Sequence, residues 1–125
     1  MVDKKSERIV CTNLSNGKRH DYRLFKESGV RIAINTKALA DTGYLGLQKT
    51  HTNTYMPKKK SKKSTVTVED KLKNHELSSQ RVLIEHVIGK IKRFKILSDK
   101  YRNRRKRFAL RFNLISGIYN DELQT

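Results

Sequence analysis

The first half of the chain alternates short apolar stretches with turn-forming residues, a pattern that favours β-strands. RIVCTNL, residues 8–14, is apolar and β-branched and runs into a Ser-Asn-Gly turn. YRLFKES, residues 22–28, follows and predicts a short helix that Asp21 caps. VRIAI, residues 30–34, and KALAD, residues 37–41, predict two short extended pieces or one interrupted strand. Together these elements predict a small sheet with a helix close to it.

The second half carries apolar residues at the spacing of amphipathic helices. Residues 67–76 predict a polar helix, and a longer helix is predicted to begin after Ser78 or Ser79 and to run to residue 97. FALRFNLISGIYNDEL, residues 108–123, repeats the same spacing. Strands followed by helices predict an α/β fold in which helices pack on a small sheet. The apolar stripe of the longer helix consists of Ile84, Val87, Ile88, Ile91 and Phe94.

The charge of the chain predicts a polyanionic partner. The 125 residues, about one domain, include 29 Lys and Arg against 12 Asp and Glu, a net charge of +17. Nucleic acid is the expected partner, and an anionic membrane surface is the lesser alternative. No apolar stretch approaches the roughly 20 residues of a membrane span. Cys11 is the single cysteine, which is typical of a reducing compartment. We therefore expect a soluble intracellular protein with no membrane partner.

Two basic segments are candidates for contact with DNA phosphates. The polar stretch between Gly46 and Thr65 predicts a loop, and within it PKKKSKK, residues 57–63, is either a solvated charge run or a DNA-contacting insertion. SDKYRNRRKR, residues 98–107, predicts a basic turn that binds phosphates. The DNA-binding candidates in the two segments are Lys58, Lys59, Lys60, Arg102, Arg104 and Arg105.

Two carboxylates, those of Asp41 and Glu85, are candidates for a metal-binding role. Glu85 lies among apolar residues of the long helix and shares one stripe with Arg81 and Lys92. Its simplest interpretation is an i,i+4 ion pair with Arg81, worth about 0.3–0.5 kcal/mol. Asp41 ends a short apolar strand and either begins the following turn or serves a site at the strand end. Two carboxylates on different elements can also share the divalent cations that stabilise in-line attack at phosphorus.

Several separate blocks of the sequence resemble one protein family. DTGYLG from Asp41, PKKKSKK, SSQRVLIEHVIGKIKRFKI and SDKYRNRRKRFALRFNLISGIYN occur in the order found in the C-terminal half of bacterial insertion-sequence transposases of the DDE type. HDYRLFKES extends the likeness toward the N-terminus. These DDE superfamily endonucleases have an RNase H-like catalytic domain. The resemblance implies that residues 1–125 form the C-terminal part of such a domain, an incomplete RNase H-like fold.

The resemblance also assigns roles to individual residues. Asp41 matches the second catalytic aspartate and Glu85 the catalytic glutamate, and both would bind Mg²⁺ or Mn²⁺. Around the glutamate, Arg81, Glu85 and Lys92 fit the family signature of Tyr, two residues, Arg, three residues, Glu, six residues and Lys, although Ser78 stands at the tyrosine position. Arg81 and Lys92 would contact the DNA backbone or orient the carboxylate. We expect the helix to turn Glu85 inward, so that Glu85 and Asp41 converge on a common cation.

The family has a first catalytic aspartate on an early strand, and we expect it to be absent here. Asp3 is the only acidic residue before Glu7 and lies 38 positions before Asp41, a shorter separation than the family shows. A sheet without its first strands predicts a marginally stable or aggregation-prone monomer. The expected partners are the DNA of insertion-sequence ends and either an upstream transposase polypeptide or further copies of the chain.

The function implied by the resemblance is DNA transposition. The chain would be a segment of a divalent-metal-dependent transposase that cleaves and joins DNA strands, inactive alone. The alternative is a basic nucleic-acid-binding protein without catalytic activity, in which the carboxylates of Asp41 and Glu85 are structural.

Overall fold

The computed structural model describes residues 1–15, 17–98 and 105–124, which fall into two compact units. The terminal unit comprises Met1–Leu14 and Val82–Thr125, and the central unit comprises Ser15–Arg81. The helices are α1 (Asp21–Glu27), α2 (Leu47–Thr50), α3 (Val68–Lys92), α4 (Lys95–Ser98) and α5 (Arg105–Glu122), with a 3₁₀ helix at Thr42–Tyr44, and the strands are β1 (Ala38–Leu39) and β2 (Thr54–Tyr55).

A two-stranded parallel sheet organises the central unit. Ala38 lies opposite Thr54 and Leu39 opposite Tyr55. Parallel strands need a crossover connection, and here the 3₁₀ helix and α2 supply it. The crossover is fixed at its end by His51, whose buried ring bonds the Thr36 carbonyl at 2.6 Å. The predicted strand at 37–41 is thus confirmed at its second and third residues, and the mixture of helices with a parallel pair confirms the α/β class.

Helices α3 and α5 supply the core of the terminal unit. Val87 and Ile91 are one turn apart on α3, and Ile115 and Tyr119 are one turn apart on α5, so each helix turns one buried stripe toward the core. Half-buried side chains that pack against this core include Val2, Ile9, Phe94, Leu97 and Phe112.

The predicted strand at residues 8–14 is wrong. Within it the structure shows one antiparallel bridge, from Ile9 to Val2. Side chains of α5 satisfy the backbone instead: the Ile9 N–H donates to Asn120 Oδ1 at 2.8 Å, and Asn120 Nδ2 donates to the Ile9 carbonyl at 2.8 Å. The Tyr119 hydroxyl donates to the Glu7 carbonyl at 3.1 Å. Strand propensity is present in this segment, but a carboxamide takes the place of a neighbouring strand.

Other boundaries also differ from the predictions. Residues 30–34 form no strand, and Ile34 is 86% exposed. The two helices predicted on either side of Ser78 are one continuous helix, α3, because no Gly or Pro interrupts residues 68–88. That helix ends at Lys92, earlier than expected, and α4 follows. The predicted loop after Gly46 contains α2 and β2. Both elements are short and mostly polar, so no apolar spacing predicts them.

We predict that Asn120→Ala destabilises the terminal unit. The substitution leaves the N–H and carbonyl of Ile9 without their carboxamide partner, which costs about 1–3 kcal/mol for groups that stay shielded from water. Urea denaturation would show a lower midpoint, and hydrogen exchange would show faster exchange of the Ile9 amide. Asp121→Ala, at an exposed neighbouring position, is the control. Equal midpoints for the two variants would contradict the role of Asn120.

Candidate functional site

Asp41 lies immediately beyond the carboxyl end of β1. It is the N-cap of the 3₁₀ helix, with extended backbone dihedrals, and its Oδ1 accepts a hydrogen bond from the Gly43 N–H at 2.9 Å. This bond to the backbone two residues on confirms the turn-initiating role that the sequence allows. The side chain is nevertheless 42% exposed, so its second oxygen is open to groups from other elements.

Arg81 of α3 reaches that second oxygen. Its Nη2 donates to Asp41 Oδ2 at 3.4 Å, and the Arg81 side chain is 33% exposed. The predicted i,i+4 pair between Arg81 and Glu85 is therefore replaced by a contact 40 residues away in sequence. At Glu85 itself, no ion pair is found with any residue the structure describes.

A second carboxylate lies beside the turn at Gly43. A Cβ placed on Gly43 would lie 2.6 Å from Asp21 Oδ2 and 3.0 Å from Asp41 Oδ1, so the two oxygens approach a common point. The predicted capping role of Asp21 is wrong, because His20 occupies the N-cap position and Asp21 is the first residue of α1. No spacing in the sequence relates Asp21 to Gly43, because their proximity depends on how α1 lies against the turn.

Glu85 and Lys92 lie on α3 in the terminal unit, whereas Asp41 belongs to the central unit. Both side chains on α3 are exposed, so Glu85 is not buried in the core. The neighbouring buried positions on the helix belong to Val87 and Ile91. Convergence of Asp41 and Glu85 on one cation stays a prediction.

The donor atoms at Asp41 suit a hard divalent cation. Carboxylate oxygens of Asp41 and Asp21 flank Gly43, and a positively charged guanidinium already contacts Asp41 Oδ2. Mg²⁺ is held by one or two carboxylates together with water and substrate oxygens, so a dedicated cage is not required. Across residues 1–15, 17–98 and 105–124, no cluster of three or more His, Cys, Asp or Glu side chains is present that would form such a cage.

The basic PKKKSKK segment is anchored at its beginning to α3. The Lys58 N–H donates to Asn74 Oδ1 at 2.8 Å, and Asn74 Nδ2 donates to the Lys58 carbonyl at 2.9 Å. The Lys58 ammonium contacts Asp70 Oδ2 at 2.7 Å. The hydrogen bond from Lys58, followed by that from the Thr67 N–H, lowers the pKa of Asp70 to about 2. Among the three predicted DNA-binding lysines, Lys58 is thus paired with an acid.

The remaining DNA-binding candidates are distributed as follows. Lys59 and Lys60 are exposed. Arg102 and Arg104 lie outside the described residues, and α5 begins at Arg105. The predicted phosphate-binding turn at residues 98–107 therefore stays a prediction.

Comparison with known proteins identifies the family. Residues 1–120 match the family described as DDE superfamily endonuclease. The chain belongs to this family. Over 123 residues the chain is 46% identical to the protein named "Probable transposase for insertion sequence element IS702" from Microchaete diplosiphon. The alignment covers 98% of the chain and 45% of that relative, so the chain spans less than half of the relative's length. No solved structure matches.

Membership of the DDE superfamily confirms the resemblance drawn from the motif blocks. DDE endonucleases generally use divalent metal ions, and transposases bind DNA. Among the described residues, none of the helices combines the length and apolarity needed to span a bilayer.

We predict that Lys58→Gln raises the pKa of Asp70 from about 2 toward its ordinary value of 3.8, because the ammonium hydrogen bond is the largest cause of the lowering. The pKa of Asp70 is depressed in the folded state, so its ionisation contributes stability fully above pH 3.8 and loses that contribution as the pH falls toward 2. An NMR titration of the side-chain carboxyl carbon would measure the change. Lys59→Gln is the matched control, and an identical Asp70 titration in both variants would contradict the assigned cause.

Proposed function

We propose that this chain is the metal-binding and DNA-binding segment of a DDE transposase that cleaves and joins DNA strands at insertion-sequence ends. The observation that carries the proposal is the contact between Arg81, from the helix that bears the family signature, and Asp41, from a block 40 residues earlier. Asp41 and Arg81, one residue from each of two motifs that resemble catalytic blocks of the family, are thus in contact within the central unit. Family membership and the 46% identity to a probable transposase also support the proposal that the chain is a transposase segment.

In this proposal Asp41 and Glu85 hold Mg²⁺ or Mn²⁺. The bound cation would stabilise charge on the attacking and leaving oxygens at phosphorus. As the oxygen nucleophile bonds to phosphorus, the bond to the leaving oxygen breaks and negative charge builds on the phosphoryl oxygens. Arg81 and Lys92 would hold the adjacent phosphates by charge-assisted hydrogen bonds. The backbone on either side would be bound by Lys58, Lys59, Lys60, Arg102, Arg104 and Arg105.

The full reaction would need a third carboxylate. The resemblance assigns only two of the three catalytic acids to positions in this chain, Asp41 and Glu85. We propose that an upstream transposase polypeptide or a further copy of the chain completes the site and an RNase H-like sheet. We further propose that this assembly acts in the bacterial cytoplasm, on the DNA of the nucleoid.

A basic nucleic-acid-binding protein is the second candidate. The observation in its favour is the structural use of Asp41, which fixes a turn through Gly43 and pairs with Arg81. If those contacts were its whole role, removal of its charge would not affect cation binding.

We predict that Asp41→Asn and Glu85→Gln each weaken Mn²⁺ binding by more than about tenfold, since even changes outside the ligand shell cost 10–100-fold in metal affinity. Asn at position 41 keeps an oxygen that can accept from the Gly43 N–H, so the turn is preserved. Electron paramagnetic resonance of free Mn²⁺ would measure the affinity, with Asp121→Asn at an exposed position as control. Unchanged binding in both variants would favour the nucleic-acid-binding alternative.

The same variants test the reaction. The chain would be mixed with the part of the relative that it does not match and with DNA carrying the terminal repeats. Magnesium-dependent strand cleavage is expected only from the mixture, and Glu85→Gln would abolish it. A mixture in which Glu85→Gln cleaves as well as the unmodified chain would remove Glu85 from the proposed site.

We predict that the double substitution Lys59→Gln and Lys60→Gln reduces the salt dependence of DNA binding. Each phosphate contact contributes about 0.9 to the slope of log affinity against log salt concentration on duplex DNA, so the slope should become shallower by up to about 1.8. Fluorescence anisotropy at several salt concentrations would measure it. Lys58→Gln is the internal comparison and should change the slope less, because its ammonium is paired with Asp70. A slope unaffected by the double substitution would identify PKKKSKK as a solvated charge run.

A further inference from the structure

The contact between Arg81 and Asp41 has the geometry of an ion pair in which another ligand can replace either partner. Its N···O distance of 3.4 Å is longer than the roughly 2.7–2.9 Å of strong charge-assisted hydrogen bonds. Both side chains are partly exposed, 33% for Arg81 and 42% for Asp41, so water can replace either partner. Exposed ion pairs of this kind are weak.

The two oxygens of Asp41 are held differently. Oδ1 accepts from the Gly43 N–H at 2.9 Å, inside the turn, and this contact fixes the carboxylate to the backbone. Among the described residues, Oδ2 accepts a hydrogen bond from the side chain of Arg81 alone. A ligand for Asp41 can therefore approach Oδ2 without opening the turn, provided that the guanidinium moves.

Arg81 and a divalent cation would compete for Oδ2 of Asp41. Both are positively charged and both use the same lone pairs, so each lowers the affinity of Asp41 for the other. Glu85 lies one turn further along α3 and is the other carboxylate assigned to the cation. Once a cation occupies Oδ2 of Asp41, the oxygen of a DNA phosphate is an anionic acceptor that the released guanidinium can bind in bidentate fashion.

We propose that Arg81 is an exchangeable counter-ion of Asp41 that couples cation binding to DNA binding. This inference rests on the proposed metal site. Without a divalent cation, Arg81 neutralises Asp41; when the cation binds, Arg81 is released to a DNA phosphate. Coupling of two binding equilibria is reciprocal, so DNA should strengthen cation binding by the same factor as the cation strengthens DNA binding.

The test compares Arg81→Gln with Arg23→Gln. Each substitution removes one positive charge from the central unit and from an ion pair, since Arg23 pairs with Glu27 at 3.0 Å. Arg81→Gln should tighten Mn²⁺ binding several-fold in electron paramagnetic resonance titrations without DNA. It should also reduce the extent to which Mn²⁺ strengthens DNA binding, measured by anisotropy at matched ionic strength. Arg23→Gln should change neither quantity, and Arg81→Lys should behave more like the unmodified chain.

The outcomes separate this inference from the proposed function. If Asp41→Asn weakens Mn²⁺ binding but Arg81→Gln leaves it unchanged or weaker, the counter-ion role is overturned and the metal site stands. If Arg81→Gln and Arg23→Gln tighten Mn²⁺ binding equally, the effect is one of net charge and the specific pairing is overturned. If Asp41→Asn has no effect on Mn²⁺ binding, the metal site fails, and the counter-ion role fails with it.

Discussion

Within the central unit, the carboxylate of Asp41 connects the sheet, the turn and the part of α3 that ends at Arg81. It follows β1 directly, its Oδ1 is fixed by the Gly43 N–H, and its Oδ2 is contacted by Arg81 of α3. Because donors from two different elements take the two oxygens, the fold sets the direction of this side chain more than its own rotamer preferences do. A partly exposed ion pair adds little stability, so its main effect is to place a charged group.

Local pattern predicts those parts of the fold whose stabilisation is local. Helix α5 and the buried stripe of α3 follow directly from apolar spacing, since Val87 and Ile91 lie one turn apart. A strand depends on a neighbour that can be distant in sequence. Residues 8–14 have strand composition, yet Asn120, 111 residues after Ile9, supplies the bonds that a strand would. Conversely, β2 is hidden in a polar stretch because only its pairing with β1 makes it a strand.

The same distinction applies to the candidate site. Spacing along the chain places Arg81 and Glu85 one turn apart and Asp41 at the end of a strand, and the structure confirms these positions on α3 and after β1. Spacing along the chain does not predict the partner of Arg81. The i,i+4 rule can nominate only a neighbour on the same helix, whereas the guanidinium contacts Asp41 across the unit. Likewise the approach of Asp21 to Gly43 depends on how α1 lies against the turn, which no periodicity encodes.

The large positive charge is divided between cations that stabilise the fold and cations that remain available to phosphates. Lys58 pairs with Asp70 in the first turn of α3, whereas the adjacent Lys59 and Lys60 are exposed. The net charge of +17 therefore indicates the class of partner but overstates the number of phosphates that the chain contacts. Counterion release depends only on the cations that reach the phosphate backbone. Helix α3 takes part in both uses of charge. Its acidic first turn anchors a basic segment, and about three turns later the guanidinium of Arg81 can leave its carboxylate partner.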